Sequence, residues 1–104
     1  RKGKRHMNIE KTQSGSDLVI SLDGRLDTTT APKLEAVLKT SLEGIDKLTL
    51  DFSGLSYLSS AGLRVVLLAQ KYMSKHGQMI VKNVNETIMD VFEVTGFTDI
   101  LTIE

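Results

Sequence analysis

No cysteine occurs in the 104 residues, which leaves neither a disulfide framework nor a thiolate metal site. No apolar run approaches the ~20 residues that span a bilayer; the longest, Val65-Val66-Leu67-Leu68-Ala69, has the length of a core segment. Aromatic residues are few, two tyrosines and three phenylalanines, and no obvious polar cluster marks the core, so nothing promotes a small-molecule or lipid binder. A Gly-x-Ser-x-Gly elbow, a phosphate-binding loop and zinc-ligand spacing are all missing. The chain reads as soluble and intracellular, with no metal and no cofactor.

An excess of charge of one sign is also missing: 13 Lys and Arg balance 13 Asp and Glu. The balance is uneven along the chain. Residues 1–6 carry Arg1, Lys2, Lys4 and Arg5, end in a His-Met junction, and lack the apolar stretch that a signal peptide needs. They read as an expression remnant, with Met7 as the native start and residues 7–104 as one domain. Setting those four cations aside leaves 9 basic against 13 acidic residues, a side-chain net charge of −4. A mildly acidic domain without a basic cluster is a poor nucleic-acid binder, because that affinity comes largely from Lys and Arg on phosphates.

What is present is a regular alternation of strand and helix patterns. Asn8–Gln13 reads as a short strand and Ser14-Gly15-Ser16 as a turn. Leu18–Leu22 is a second strand closed by Asp23-Gly24, a turn or bulge signal. Thr28, Thr29 and Thr30 offer N-caps, Pro32 suits a first helical turn, and Leu34, Val37, Leu38 and Leu42 follow at helical spacing up to Gly44. Lys47–Phe52 alternates cleanly as a strand, and Leu55, Tyr57 and Leu58 read as a loop. A second helix spans about Ser60 to His76, stopped by Gly77. Gln78–Lys82 is a short strand. Asn83 or Asn85 caps a third helix with Ile88, Val91, Phe92 and Val94 inward, ended by Gly96. Ile100–Ile103 closes the chain as a last strand or turn. The order β-β-α-β-α-β-α-β predicts an α/β fold, a mixed sheet of four to five strands with helices packed on it and one antiparallel hairpin at the start.

The segment Leu55–Val65 is where a chemistry concentrates. A strand ends, a short loop follows, and Ser59 and Ser60 meet the start of an apolar helix. Local physics leaves two readings level. One serine caps the helix and the other is idle, or the pair forms a modification site. A helix N-terminus carries unpaired N–H groups and about half a positive charge, so it tolerates an anion. A phosphoserine there leaves the fold intact and disrupts only an interface that covers it. On a helical wheel Gly62, Val65, Val66, Ala69, Tyr72 and Met73 share the core side. Ser60, Arg64, Lys71 and Lys75 lie opposite, with Leu67 among them and Leu63 and Leu68 at the margins. Leu67 amid charges fits a partner surface or a contact beneath a neighbouring helix equally well.

Three pieces then carry a resemblance. Gly24-Arg25-Leu26-Asp27-Thr28-Thr29-Thr30-Ala31, Leu48-Thr49-Leu50-Asp51-Phe52-Ser53 and Leu58-Ser59-Ser60-Ala61-Gly62-Leu63 resemble the STAS family, and within it the bacterial anti-sigma factor antagonists, over nearly all of residues 8–104. The resemblance implies a cytoplasmic regulator that binds an anti-sigma factor, itself a serine-protein kinase, in the unphosphorylated form and so frees a sigma factor. It implies phosphorylation at Ser60, with Ser59 the second candidate, and a phosphatase that reverses the modification; related domains also form cytoplasmic parts of anion transporters, and the missing apolar span argues against such a membrane partner here. The resemblance places Asp27 near the switch as a recognition residue, and with it Thr28, Ser59, Ser60, Gly62, Leu63, Arg64 and Leu67 form the expected partner-binding set. Many members carry an aspartate immediately before the modified serine, where this chain has Ser59. Asp27 also has a plainer reading, as a cap on the helix that follows it.

Catalysis is the competing class. A serine nucleophile needs a base within hydrogen-bonding reach. His76, the one histidine after residue 6, lies sixteen residues along the same helix from Ser60, roughly 24 Å away at 1.5 Å per residue. Lys71 and Lys75 are also out of range, so no catalytic residue is expected. A second competitor is a STAS module used as a scaffold or sensor in a stress-signalling assembly, without a switch.

Overall fold

Strict alternation at Leu18, Ile20 and Leu22 and at Leu48, Leu50 and Phe52 puts one apolar row on each of two neighbouring strands, and all six side chains are at most 2% exposed. These rows form the centre of a computed structural model that describes residues 7–104; the expected remnant at 1–6 lies outside the described residues. The elements are β1 (Met7–Ser14), β2 (Asp17–Leu26), α1 (Ala31–Ser41), β3 (Lys47–Leu58), α2 (Ser60–His76), β4 (Gln78–Lys82) and α3 (Glu86–Thr95), followed by a 3-10 turn at Phe97–Asp99.

The four strands lie side by side in the order β1-β2-β3-β4. β1 and β2 form the expected antiparallel hairpin, with Ser14 opposite Asp17 and Gly15 at φ +63° in the two-residue loop. Glycine at the first central position is the residue such a loop favours. β2 pairs with β3, and β3 with β4, in parallel. α1 and α2 pack against each other over one face, as two successive crossovers of one hand require. α3 covers the same face, with Phe92 against Phe52 at a ring-centroid distance of 6.3 Å. The core is therefore a single layer between three helices and one side of the sheet.

Several boundaries differ from the sequence-based expectation. β2 does not stop at Gly24. It passes through a bulge there, with register shifts between Ser21 and Asp23 and between Gly24 and Arg25, and continues to Leu26. β3 likewise runs on through Leu55, Tyr57 and Leu58, which are strand and not loop, because Leu55 and Leu58 are buried and the Ser56 hydroxyl donates to the Gly24 carbonyl at 3.0 Å. Val94 points outward at 86% exposure. The final strand shrinks to one bridge between Ile103 and Val81, the 3-10 turn having used the preceding residues. Among the described residues no helix is long and apolar enough to cross a membrane.

Two glycines are placed by contact. Gly77 joins α2 to β4 with its backbone pressed on Asp46, whose carbonyl accepts from Gln78 N–H at 2.9 Å, and a Cβ at Gly77 would collide with that carbonyl. A Cβ at Gly62 would stand 2.7 Å from Leu58 Cδ1 and 2.8 Å from Leu26 Cγ. Overpacking costs about 1–3 kcal/mol, against about 1 kcal/mol gained from alanine's helix propensity. We expect Gly62→Ala to lower stability by roughly 1 kcal/mol and Gly77→Ala, which meets rigid backbone, by about 3 kcal/mol or more. Urea unfolding at constant m-value checks both; a gain at either position would contradict the contacts described.

Candidate functional site

β2 and β3 end next to one another, and the segments that leave them form the site. Their last rungs pair Arg25 with Tyr57 and Leu26 with Leu58, and the Ser59 N–H extends the ladder by donating to the Leu26 carbonyl at 2.9 Å. Asp27 and Ser59 thus leave the sheet as neighbours, one entering the threonine turn before α1 and the other entering α2. Leu26 and Leu58 are buried beneath them, and Gly62 sits on both leucines, which seats the first turn of α2 on the ends of the two strands.

The two serines are physically distinct. Ser59 has extended backbone, φ −94° and ψ 175°, and its Oγ accepts from Gly62 N–H at 3.3 Å, so it is the N-cap and is half-buried. Ser60 is the first residue of α2 and is exposed, and its hydroxyl has no hydrogen-bond partner among the described residues. The first turn of the helix contains no acidic side chain of its own.

Asp27 is tied down on three sides. Its Oδ1 accepts from Thr29 N–H at 2.9 Å and Thr30 N–H at 3.1 Å, and the Thr30 hydroxyl lies 3.3 Å away. Its Oδ2 faces Arg25 Nε at 3.6 Å. Desolvation pushes the carboxyl up, but the two backbone N–H groups, the Thr30 hydroxyl and the Arg25 charge together outweigh it and hold Asp27 below its ordinary value. Thr30 is fully buried; its hydroxyl donates to the Arg25 carbonyl at 2.7 Å and accepts from Asp27 N–H at 2.9 Å. The Asp27 carboxylate therefore does not cap α1, whose N-cap is Thr30 and makes no side-chain cap bond; one carboxylate oxygen closes the turn before the helix, and the other belongs to an ion pair at the surface.

Of the remaining expected partner-binding residues, Thr28 and Arg64 are exposed and Leu67 is half-buried. Gly62 and Leu63 are buried, so neither presents a side chain to a partner; Gly62 instead seats the helix. Two residues outside the expected set complete the surface. The Arg25 guanidinium stacks 4.1 Å above the Tyr57 ring, and Tyr57 is 40% exposed. Arg25 and Tyr57 are 32 positions apart in the chain and meet only through the parallel register, so local pattern carries no sign of the pair. Behind the site, Asp51 Oδ1 accepts from Asn83 Nδ2 at 2.9 Å and Ser53 N–H at 3.0 Å, which ties β3 to the end of β4. Asn83 takes a left-handed backbone, φ 61°, to make this brace. The Asn83 amide, the Ser53 N–H and hydroxyl and the Lys82 charge hold the Asp51 carboxyl below its ordinary value against desolvation.

Comparison with known proteins places this geometry. Residues 8–104 match the family model described as the STAS domain. The chain is 35% identical over 88 residues to BtrV of Bordetella bronchiseptica, a candidate anti-sigma factor antagonist, covering 83% of this chain and 76% of that protein. It is 29% identical over 100 residues to the anti-sigma-B factor antagonist of Bacillus subtilis, covering 94% and 91%. The solved structures of the anti-sigma factor antagonist SpoIIAA share the fold at 22% identity. Its unphosphorylated form superposes with a TM-score of 0.73 and its phosphorylated form with 0.72, over 95% of this chain and 87% and 91% of those chains.

The depressed carboxyls at Asp27 and Asp51 set an acid limb. Ionised carboxylate is favoured in the folded state, so this stabilisation is complete above the unfolded value near pH 4 and is lost as pH falls through the lower folded values. Urea midpoints measured between pH 7 and pH 2.5 are expected to fall on acidification. Asp51→Asn should flatten that fall, and a mutant curve parallel to the wild type would remove the assignment.

Proposed function

This chain belongs to the STAS domain family, and from that membership and the geometry of the site we propose that it is an anti-sigma factor antagonist switched by phosphorylation at Ser60. The observation that carries the reading is the exposed, unbonded Ser60 hydroxyl on the first residue of α2, next to the recognition edge formed by Asp27, Arg25 and Tyr57. In this reading the unphosphorylated chain docks a cytoplasmic anti-sigma factor over that edge. The partner is a serine-protein kinase, which transfers the γ-phosphoryl group of ATP to the Ser60 oxygen. The Bacillus subtilis relative is an anti-sigma-B factor antagonist, and SpoIIAA is known in a phosphorylated form; both support the proposal.

Energetics give the direction of the switch. A phosphate at Ser60 gains roughly 0.3–1 kcal/mol from the helix dipole, so α2 survives the modification. Leaving the same dianion unpaired beneath a docked protein costs several kcal/mol. The interface loses, the complex dissociates, and a phosphatase restores binding. Ser59 is the poorer acceptor because its oxygen is already engaged with Gly62 N–H.

Ser60→Asp should weaken binding to the cognate anti-sigma factor by more than tenfold, roughly 1.4 kcal/mol, and Ser60→Ala should bind normally yet resist phosphorylation. Calorimetry gives the affinities, and mass spectrometry after incubation with the kinase and ATP locates the phosphate. Equal affinity of Ser60→Asp and wild type removes the switch. A phosphate on Ser59 moves it, and no phosphate at all turns the chain into a non-switching scaffold module.

A further inference from the structure

α2 contains seventeen residues and no acidic one. Its charged side chains Arg64, Lys71 and Lys75 lie within about 60° of Ser60 on the helical wheel at 100° per residue, on the side away from the core. All three are exposed, and among the described residues none forms an ion pair. The stripe from Ser60 to Lys75 is roughly 22 Å long at 1.5 Å per residue, with half-buried Leu67 between Arg64 and Lys71.

The helix on its own disfavours this arrangement. Arg64 stands near the positive end of the helix dipole, and Lys71 and Lys75 form a like-charge pair at i,i+4. Only the position of Lys75 in the last turn is favourable. α1 behaves conventionally by contrast, pairing Lys39 with Glu35 at 3.6 Å. α3 has the opposite composition, with Glu86, Asp90 and Glu93 and no cation. The ridge thus concentrates positive charge on a domain whose residues 7–104 sum to −4.

We infer that the exposed ridge of α2, from Arg64 to Lys75, is a docking track for an acidic surface of the same protein partner that covers Ser60. The inference rests on the proposed function. Two observations carry it, the charge of the ridge and its continuity with the switch residue at its head. Three cations on a net-negative domain suit a protein face better than nucleic acid, whose binding multiplies phosphate contacts. The ridge also sharpens the switch. A phosphate on Ser60 stands one turn from Arg64, so modification adds an anion at the head of the track and lowers its net positive charge.

The test is the association rate of the cognate anti-sigma factor with the full chain, in 50 and 300 mM sodium chloride. The variants are Lys71→Glu/Lys75→Glu and Lys71→Gln/Lys75→Gln, both remote from Ser60, with circular dichroism verifying the fold. Charge reversal should slow association at least tenfold at low salt, the glutamine variant should fall between, and high salt should bring the three together. A reversed variant that associates at the wild-type rate and salt dependence overturns the track, while a Ser60→Asp defect in the same assay leaves the switch standing. Failure of the wild type itself to bind overturns both. Salt-sensitive self-association of the chain alone in sedimentation, abolished by the reversal, would give the ridge to a second copy through acidic α3 and overturn the partner assignment.

Discussion

Everything at the site depends on the missing side chain of Gly62. Because nothing projects from that residue, the first turn of α2 settles directly onto Leu26 and Leu58, the last residues of two adjacent parallel strands. That contact decides where the Ser59 N–H meets the Leu26 carbonyl, which hydroxyl caps the helix and which is left facing solvent. Even a methyl group would lift the turn, and the displacement would be felt first by the two serines. Burial of Gly62 is thus a positioning device.

The same junction divides labour between groups of similar chemistry. Ser59 and Ser60 differ by one position, yet one oxygen is committed to the backbone and the other has no partner among the described residues. The two oxygens of Asp27 divide in the same way, one closing the turn before α1 and the other meeting Arg25. Arg25 in turn lies flat on Tyr57. Rigid backbone anchoring on one side and a charged, partly aromatic outer surface on the other leave this edge little freedom to rearrange, and a prearranged surface loses less entropy when a partner docks on it.

How much of this is legible in the sequence varies with the range of the interactions involved. The bounds of α2 are readable, because a serine pair, an apolar 3.6-residue period and a terminal glycine all act locally, but its inward face is read less exactly, since Tyr72, expected on the core side, is exposed. The exposure of Ser60 and Arg64 follows from the same period. The lengths of β2 and β3 are not readable: Asp23-Gly24 has the composition of a turn, and only pairing with β3 turns it into a bulge. Leu55 and Leu58 look like loop because the Gly54 and Ser56 beside them break the alternation, and burial against the helices overrides that local signal. Gly62 and Leu63 enter the expected contact surface through resemblance, whereas packing puts them underneath. The Arg25–Tyr57 and Asp51–Asn83 contacts each span 32 positions and exist only through strand register.

The short bridge at the chain's end has a meaning for the sheet as a whole. Val81 has both of its outward backbone groups occupied, its N–H by Thr102 and its carbonyl by Glu104, so residues 102–104 cover the β4 rim at that one point. Among the described residues the opposite rim, along β1, has no such cover. At Val81 a foreign strand would have to displace residues 102–104 before it could pair with the edge of β4.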